Sequence, residues 1–185
     1  MDAVTLLTTR QSTPRLQAPA PSGNDLDIIK QAALRAPDHA GLTPWQFIVY
    51  DNEDALKKLG EIYADAAVKE NADVDQAVVD RAKELPLRAP LLIVCVAKVV
   101  ENPKVPRVEQ VISAGCGVMA MQQAAFALGY GGIWRTGSYA FNPFVKDALG
   151  ISRDDEIVGF LYLGTPVLNA PEKPAKNPDD FFVAG

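Results

Sequence analysis

The chain has 185 residues, 48% of them hydrophobic, and a formal net charge of −5. Such a length suits one globular domain spanning 1–185, which buries roughly 70% of the surface its unfolded chain exposes. The acidic balance argues against nucleic acid or an anionic membrane as main partner, and the longest apolar run, 89–97 with Pro90 inside it, falls far below the ~20 residues of a spanning helix.

Asp2 stands where a secretory leader would carry basic charge, so a cytoplasmic location is expected. Asp2 also caps a predicted helix over 3–10, whose Ala3, Val4, Leu6 and Leu7 leave one side to bury. Pro14, Pro19 and Pro21 enforce a loop. Ser22 and Asp25 form a capping pair for a second helix with an apolar stripe of Leu26, Ile29, Ala33 and Leu34, stopped by Pro37. A short strand follows over 47–50, with Trp45 expected to pack in the core beside the sheet. Two amphipathic helices, 53–70 and 74–84, carry Leu56, Leu59, Tyr63 and Ala67, then Val74, Ala77, Val78 and Ala82, and are candidates for a lid.

The branched run 91–97 reads as a central strand buried on both faces. Residues 108–128 read as a helix crowded with small residues, Gly115, Cys116, Gly117, Ala120 and Ala124, suited to close packing in a core or a dimer. Gly115-Cys116-Gly117-Val118-Met119-Ala120 mimics a dinucleotide fingerprint, but no strand precedes it. A strand through Trp134, a helix from Asn142-Pro143 to Leu149 ended by Gly150, and a last strand over 157–163 complete the pattern before a Pro- and Lys-rich tail. Interleaved helices and strands predict an α+β fold with one mixed central sheet flanked by helices. Cys95 and Cys116 read as buried thiols, and no cluster of ligand residues calls for a metal.

Three segments carry chemistry. Arg10-Gln11-Ser12-Thr13-Pro14-Arg15 sets a guanidinium beside a hydroxyl. Arg35-Ala36-Pro37-Asp38-His39-Ala40-Gly41-Leu42-Thr43-Pro44-Trp45-Gln46-Phe47 runs from a helix end through a rigid loop into an apolar strand. Gly131-Gly132-Ile133-Trp134-Arg135-Thr136-Gly137 lets a backbone approach a planar ring and then offers donors. Read alone, Arg10 is equally a solvated residue at a helix C-terminus, Arg35 a surface ion-pair partner and His39 an exposed loop residue.

Together with Lys104-Val105-Pro106-Arg107 and Gly159-Phe160-Leu161-Tyr162-Leu163-Gly164-Thr165-Pro166, these segments resemble the nitroreductase family of FMN enzymes over nearly the whole chain. The likeness is to its compact bacterial subgroup, described as NAD(P)H nitroreductases. Ala36, Pro37, Pro44 and Trp45 keep the spacing of the flavin-lining segment. Gly41 and Thr43 stand where the family has asparagine and glutamine, and Gln11 where many relatives are basic.

The resemblance implies a nitroreductase-like fold and a homodimer with the flavin site at the subunit interface. It implies FMN as cofactor, NADH or NADPH as reductant, and ping-pong reduction of a nitroaromatic or quinone-like small-molecule electron acceptor. It implies cofactor binding by Arg10, Gln11, Ser12, Arg35, His39, Trp134, Arg135 and Thr136, the last three from the other subunit, and NAD(P) contacts at 124–129. No side chain is assigned as catalytic, because FMN N5 carries the chemistry. A flavin-binding or redox-sensing module with little turnover, and a flavin reductase or dehalogenase of the same fold, are the competing readings.

Overall fold

The computed structural model describes residues 1–168 and 173–185, so 169–172 of the expected tail lie outside the described residues. In chain order the main elements are α1 (Ala3–Thr9), β1 (Leu16–Gln17), α2 (Gly23–Ala33), β2 (Trp45–Tyr50), α3 (Glu53–Glu70), α4 (Gln76–Glu84), β3 (Leu91–Ala97), α5 (Arg107–Ala127), β4 (Gly131–Arg135), α6 (Ser138–Phe141), α7 (Pro143–Ala148) and β5 (Glu156–Pro166). No described helix is long and apolar enough to cross a membrane.

The branched run of β3 lies between β2 and β5, and all seven of its residues are buried. Successive side chains of a strand point to opposite faces. Leu91, Ile93 and Cys95 therefore join Leu26, Ile29 and Ala33 of α2 and Val118, Met121 and Ala125 of α5 in one core. Leu92, Val94 and Val96 join Leu56, Leu59 and Tyr63 of α3 in the other, with Phe160 and Tyr162 of β5.

The sheet is antiparallel throughout its described pairings, not mixed. Two helices, α3 and α4, return the chain between β2 and β3 and leave those neighbours antiparallel. The single helix α5 joins β3 to β4, which run the same way, but β5 inserts between them, so the parallel relation never becomes a neighbouring pair. Along β5, β4 pairs with residues 160–164 and β1 with residues 165–166.

Local chemistry sets most helix ends. Asp2 accepts from the Thr5 N–H at 3.0 Å, and Asn142 accepts from the Phe144 N–H at 2.9 Å before Gly150, at φ 67°, closes α7. α4 starts at Gln76 and not at Val74, because the Asp75 carboxylate caps Ala77 N at 2.9 Å. The Ser22 side chain makes no cap bond, and Asp25 instead accepts from the Tyr130 hydroxyl at 2.9 Å. The capping pair predicted there is thus replaced by a tertiary contact.

Three further expectations change. No residue of α1 is buried, and Val4 and Leu7 are exposed. Trp45 opens the edge strand β2 and is only half-buried, outside both cores. α3 is a core helix with six buried residues, among them Leu59 and Tyr63, so it cannot swing as a lid. α4 packs on it through Gly60, where a Cβ would overlap the Lys83 carbonyl. Gly60→Ala is expected to destabilise the protein by roughly 1–3 kcal/mol through overpacking, read as a lower urea midpoint.

Where β5 begins, α5, α7 and β5 meet in a charge cluster. Lys146, nearly buried, donates to the Asp155 carbonyl at 2.8 Å and lies 2.9 Å from Glu156 Oε2, while Arg107 pairs with Glu156 Oε1. Burial pushes the Glu156 carboxyl up, but the bonds from Lys146 and Arg107 outweigh it and hold it below the usual value of 4.5. Its contribution to stability is present above that value and is lost as pH falls through the lowered one. Glu156→Gln is therefore expected to lower the thermal midpoint near neutral pH and to narrow its gap from wild type on acidification, as followed by circular dichroism.

Candidate functional site

α5 organises one side of the site. Its Ser113 hydroxyl donates to the Pro37 carbonyl at 2.5 Å, and its Glu109 Oε2 lies 2.7 Å from His39 Nδ1. An ionised carboxylate only accepts, so Nδ1 carries the proton and Nε2 is left as the nitrogen available to a ligand. The 37–44 loop is held further by Asp38, whose Oδ2 accepts from the Thr43 N–H at 2.9 Å. Ala40 and Thr43 adopt left-handed backbone, φ 63° and 46°, a strained state that persists only where the surroundings impose it. The loop is therefore a fixed platform for His39, which lines a cavity of about 230 Å³ with Glu109 and Cys116.

The free edge of β4 forms the other side. The Thr13 N–H donates to the Gly132 carbonyl at 2.9 Å, which ties the 10–13 loop to the start of this strand. At a rise of about 3.3 Å per residue, Gly132 and Thr136 stand roughly 13 Å apart. That span is comparable to a ribityl phosphate with part of a tricyclic ring. Within the loop, Arg10 Nη1 is buried without a hydrogen-bond partner, a state that costs free energy unless a ligand supplies an acceptor.

Trp134 is held from both sides. Its indole N–H donates to the Val158 carbonyl at 3.0 Å, where the β3–β5 register slips between Cys95 and Val96. Gly159, at φ 151°, leaves room for the indole, which any Cβ there would strike, and Gly115 of α5 approaches the ring's far end. Arg135, one residue on, faces the opposite side of the sheet. There it lines a cavity of about 680 Å³ with Thr136, Tyr63, Arg81, Arg88 and Tyr139.

The structure thus gathers the sequence-predicted residues into two groups. Arg10, Gln11 and Ser12 at one end of β4, with Trp134, Arg135 and Thr136 at the other, follow a single edge. Arg35 is exposed beyond the end of α2, and His39 lines a separate cavity with Glu109 of α5. The 124–129 stretch is the C-terminal end of α5, close to Gln11. Sequence reasoning missed Glu109, Arg81 and Arg88, since charged residues on amphipathic or loop segments carry no signal distinguishing them from a solvated face.

The profile of the Nitroreductase family matches residues 7–165. The Escherichia coli (strain K12) protein YdjA, provisionally named an NAD(P)H nitroreductase, is 50% identical over 170 residues, covering 92% of this chain and 91% of its own. A Haemophilus influenzae protein with the same provisional name is 42% identical over 166 residues, 89% of each chain. Among solved structures, a nitroreductase-like family protein from Bacillus cereus superposes with a TM-score of 0.80 at 24% identity, over 100% of this chain and 96% of that one. A nitroreductase with bound FMN from Bacteroides fragilis NCTC 9343 superposes with a TM-score of 0.75 at 21% identity, over 100% and 99%. The fold is shared with these structures, and the sequence match over most of its length shows that the chain belongs to the nitroreductase family.

Proposed function

We propose that the protein is a homodimeric FMN-dependent oxidoreductase that uses NAD(P)H to reduce nitroaromatic or quinone-like acceptors. The observation that carries this reading is the buried, unpartnered Nη1 of Arg10 in the loop that opens the β4 edge. Arg10 and Ser12 would hold the phosphate through charge-assisted and hydroxyl hydrogen bonds, with Gln11 beside them. Trp134, Arg135 and Thr136 would hold the ring end of the same edge. This arrangement differs from the expected one, because it draws both ends of the site from one chain.

Arg35 and His39 would then come from the second copy. A surface for that copy exists on α5, where Val108, Ile112 and Met119 are 60%, 59% and 38% exposed at helical spacing. Phe141 extends the patch, which is lined further by Gly115 and Cys116. A contiguous apolar face of this kind marks an interface, and His39 and Glu109 stand at its border.

Bound FMN supplies the hydride relay from NAD(P)H to the acceptor in two half-reactions at one place, hence ping-pong kinetics. For a nitroarene the first two-electron reduction consumes NAD(P)H and one proton and yields the nitroso compound, NAD(P)⁺ and water. His39, with Nδ1 committed to Glu109, presents Nε2 as a binding contact and as a proton site. Arg35 would offer a cation to the flavin, a charge that tunes its reduction potential.

The test is an anaerobic visible spectrum of the purified protein, before and after one equivalent of NADH or NADPH and then a nitroaromatic acceptor. The expected result is a flavin band that bleaches and returns. A band that persists would refute reductase activity, and no band after reconstitution with FMN would refute the cofactor. Arg10→Ala is expected to weaken FMN binding by roughly 1.5–3 kcal/mol, measured by quenching of flavin fluorescence. Unchanged affinity would remove Arg10 from the phosphate site.

A further inference from the structure

Arg81 of α4, Arg88 from the segment after it and Arg135 at the end of β4 line the same 680 Å³ cavity. None of the three has a carboxylate partner among the described residues, whereas every ion pair there uses other cations. Arg88 and Arg135 both act on the Tyr162 hydroxyl, which burial pushes up to about 12 against their pull. Cations gathered around one cavity without counter-ions repel one another, and an anion entering it relieves that cost.

The walls specify more than charge. Tyr63 is 1% exposed, yet its hydroxyl has no hydrogen-bond partner, leaving a buried donor on the cavity wall. Its ring stacks on Tyr139 at 4.3 Å between centroids, and Phe160 meets it edge-on at 5.6 Å. Aromatic walls with an unpaired hydroxyl and guanidinium groups suit a flat ring carrying an anionic oxygen pair. This side of the cavity belongs to the α3–α4 hairpin, whereas Arg10 and Ser12 lie by the other end of β4.

We propose that the α3–α4 side of this cavity is the acceptor subsite and that it selects planar aromatic acceptors bearing a carboxylate, held by Arg81, Arg88 and the Tyr63 hydroxyl. The proposal rests on the flavin reading above, because Trp134, Arg135 and Thr136 line both regions. It narrows the acceptor class from nitroaromatics in general to aromatic acids. The arginines act by binding and orientation, so neutral acceptors remain substrates without this advantage.

The purified full chain is titrated calorimetrically with benzoate and with uncharged benzamide, before and after saturation with FMN. Benzoate is expected to bind in both states, and benzamide roughly tenfold or more weakly. Arg81→Gln/Arg88→Gln and, separately, Tyr63→Phe are expected to weaken benzoate while leaving FMN affinity at the wild-type value. Both arginines are solvent-accessible, so the double variant retains the fold. In turnover, kcat/KM for 4-nitrobenzoate is expected to fall roughly tenfold in the double variant and that for nitrobenzene to stay constant. Displacement of benzoate by FMN would overturn the proposal, since the cavity would be the cofactor's own. Equal affinity for benzamide, or an equal fall for both acceptors, would overturn it as well. Protein that takes benzoate but no FMN would support the anion site while removing the flavin reading.

Discussion

The close approach of α5 to its neighbours is the constraint on which the site depends. At Gly117 a Cβ would stand 3.1 Å from the Phe47 ring and 3.3 Å from the Ala33 carbonyl, so α2 and β2 come near only because that side chain is missing. Along the same helix Glu109 meets His39, Ser113 meets the Pro37 carbonyl, Gly115 meets Trp134, and Gln122 donates to the Gly132 carbonyl at 2.9 Å. One rigid element therefore sets the height of the His39 loop, the tilt of the indole and the start of the β4 edge. A bulkier residue at any of the small positions would move several of these together, because packed interiors transmit displacement and do not absorb it.

Charge is distributed according to the same logic. At Asp155 and Glu156, cations and carboxylates are matched: Lys98 with Asp155, and Lys146 and Arg107 with Glu156. Around β4 they are not. Arg10 is left with a buried unpartnered nitrogen, and Arg81, Arg88 and Arg135 share a cavity without a carboxylate. In a chain with net charge −5, such local positive clusters arise by placement and not by composition. Matched pairs hold the frame, and the unmatched cations are where the proposed function and the proposed acceptor subsite each place an anionic group.

Much of the fold was legible because its signals are local. The apolar run of β3, the Asp2 and Asn142 caps, and Gly150 after α7 each act within a few residues, and each appears where its chemistry requires. The Ser22 cap failed because Asp25 had a distant competitor in Tyr130, and Trp45 was misplaced because its strand became a sheet edge. In the candidate site, Arg10, His39 and Trp134 were singled out from their motifs. Glu109 and the Arg81–Arg88 pair were not, since the residues that give them meaning are 70 or more positions away or on another layer.

By itself the sequence determined most of the elements, the two-sided burial of the central strand and the family. The elements follow from periodicity and capping, and the family from the resemblance of its motifs, all readable along one dimension. Only the tertiary structure decided the antiparallel sheet, because β5 slots between two strands joined by a single helix. It alone brought the Arg10 loop to the strand that carries Trp134 and Arg135 and set His39 against Glu109 of α5. It alone gathered three arginines and a buried tyrosine hydroxyl around one cavity. Long-range placement of this kind depends on which surfaces pack together, and hydrophobic pattern does not distinguish one such arrangement from another.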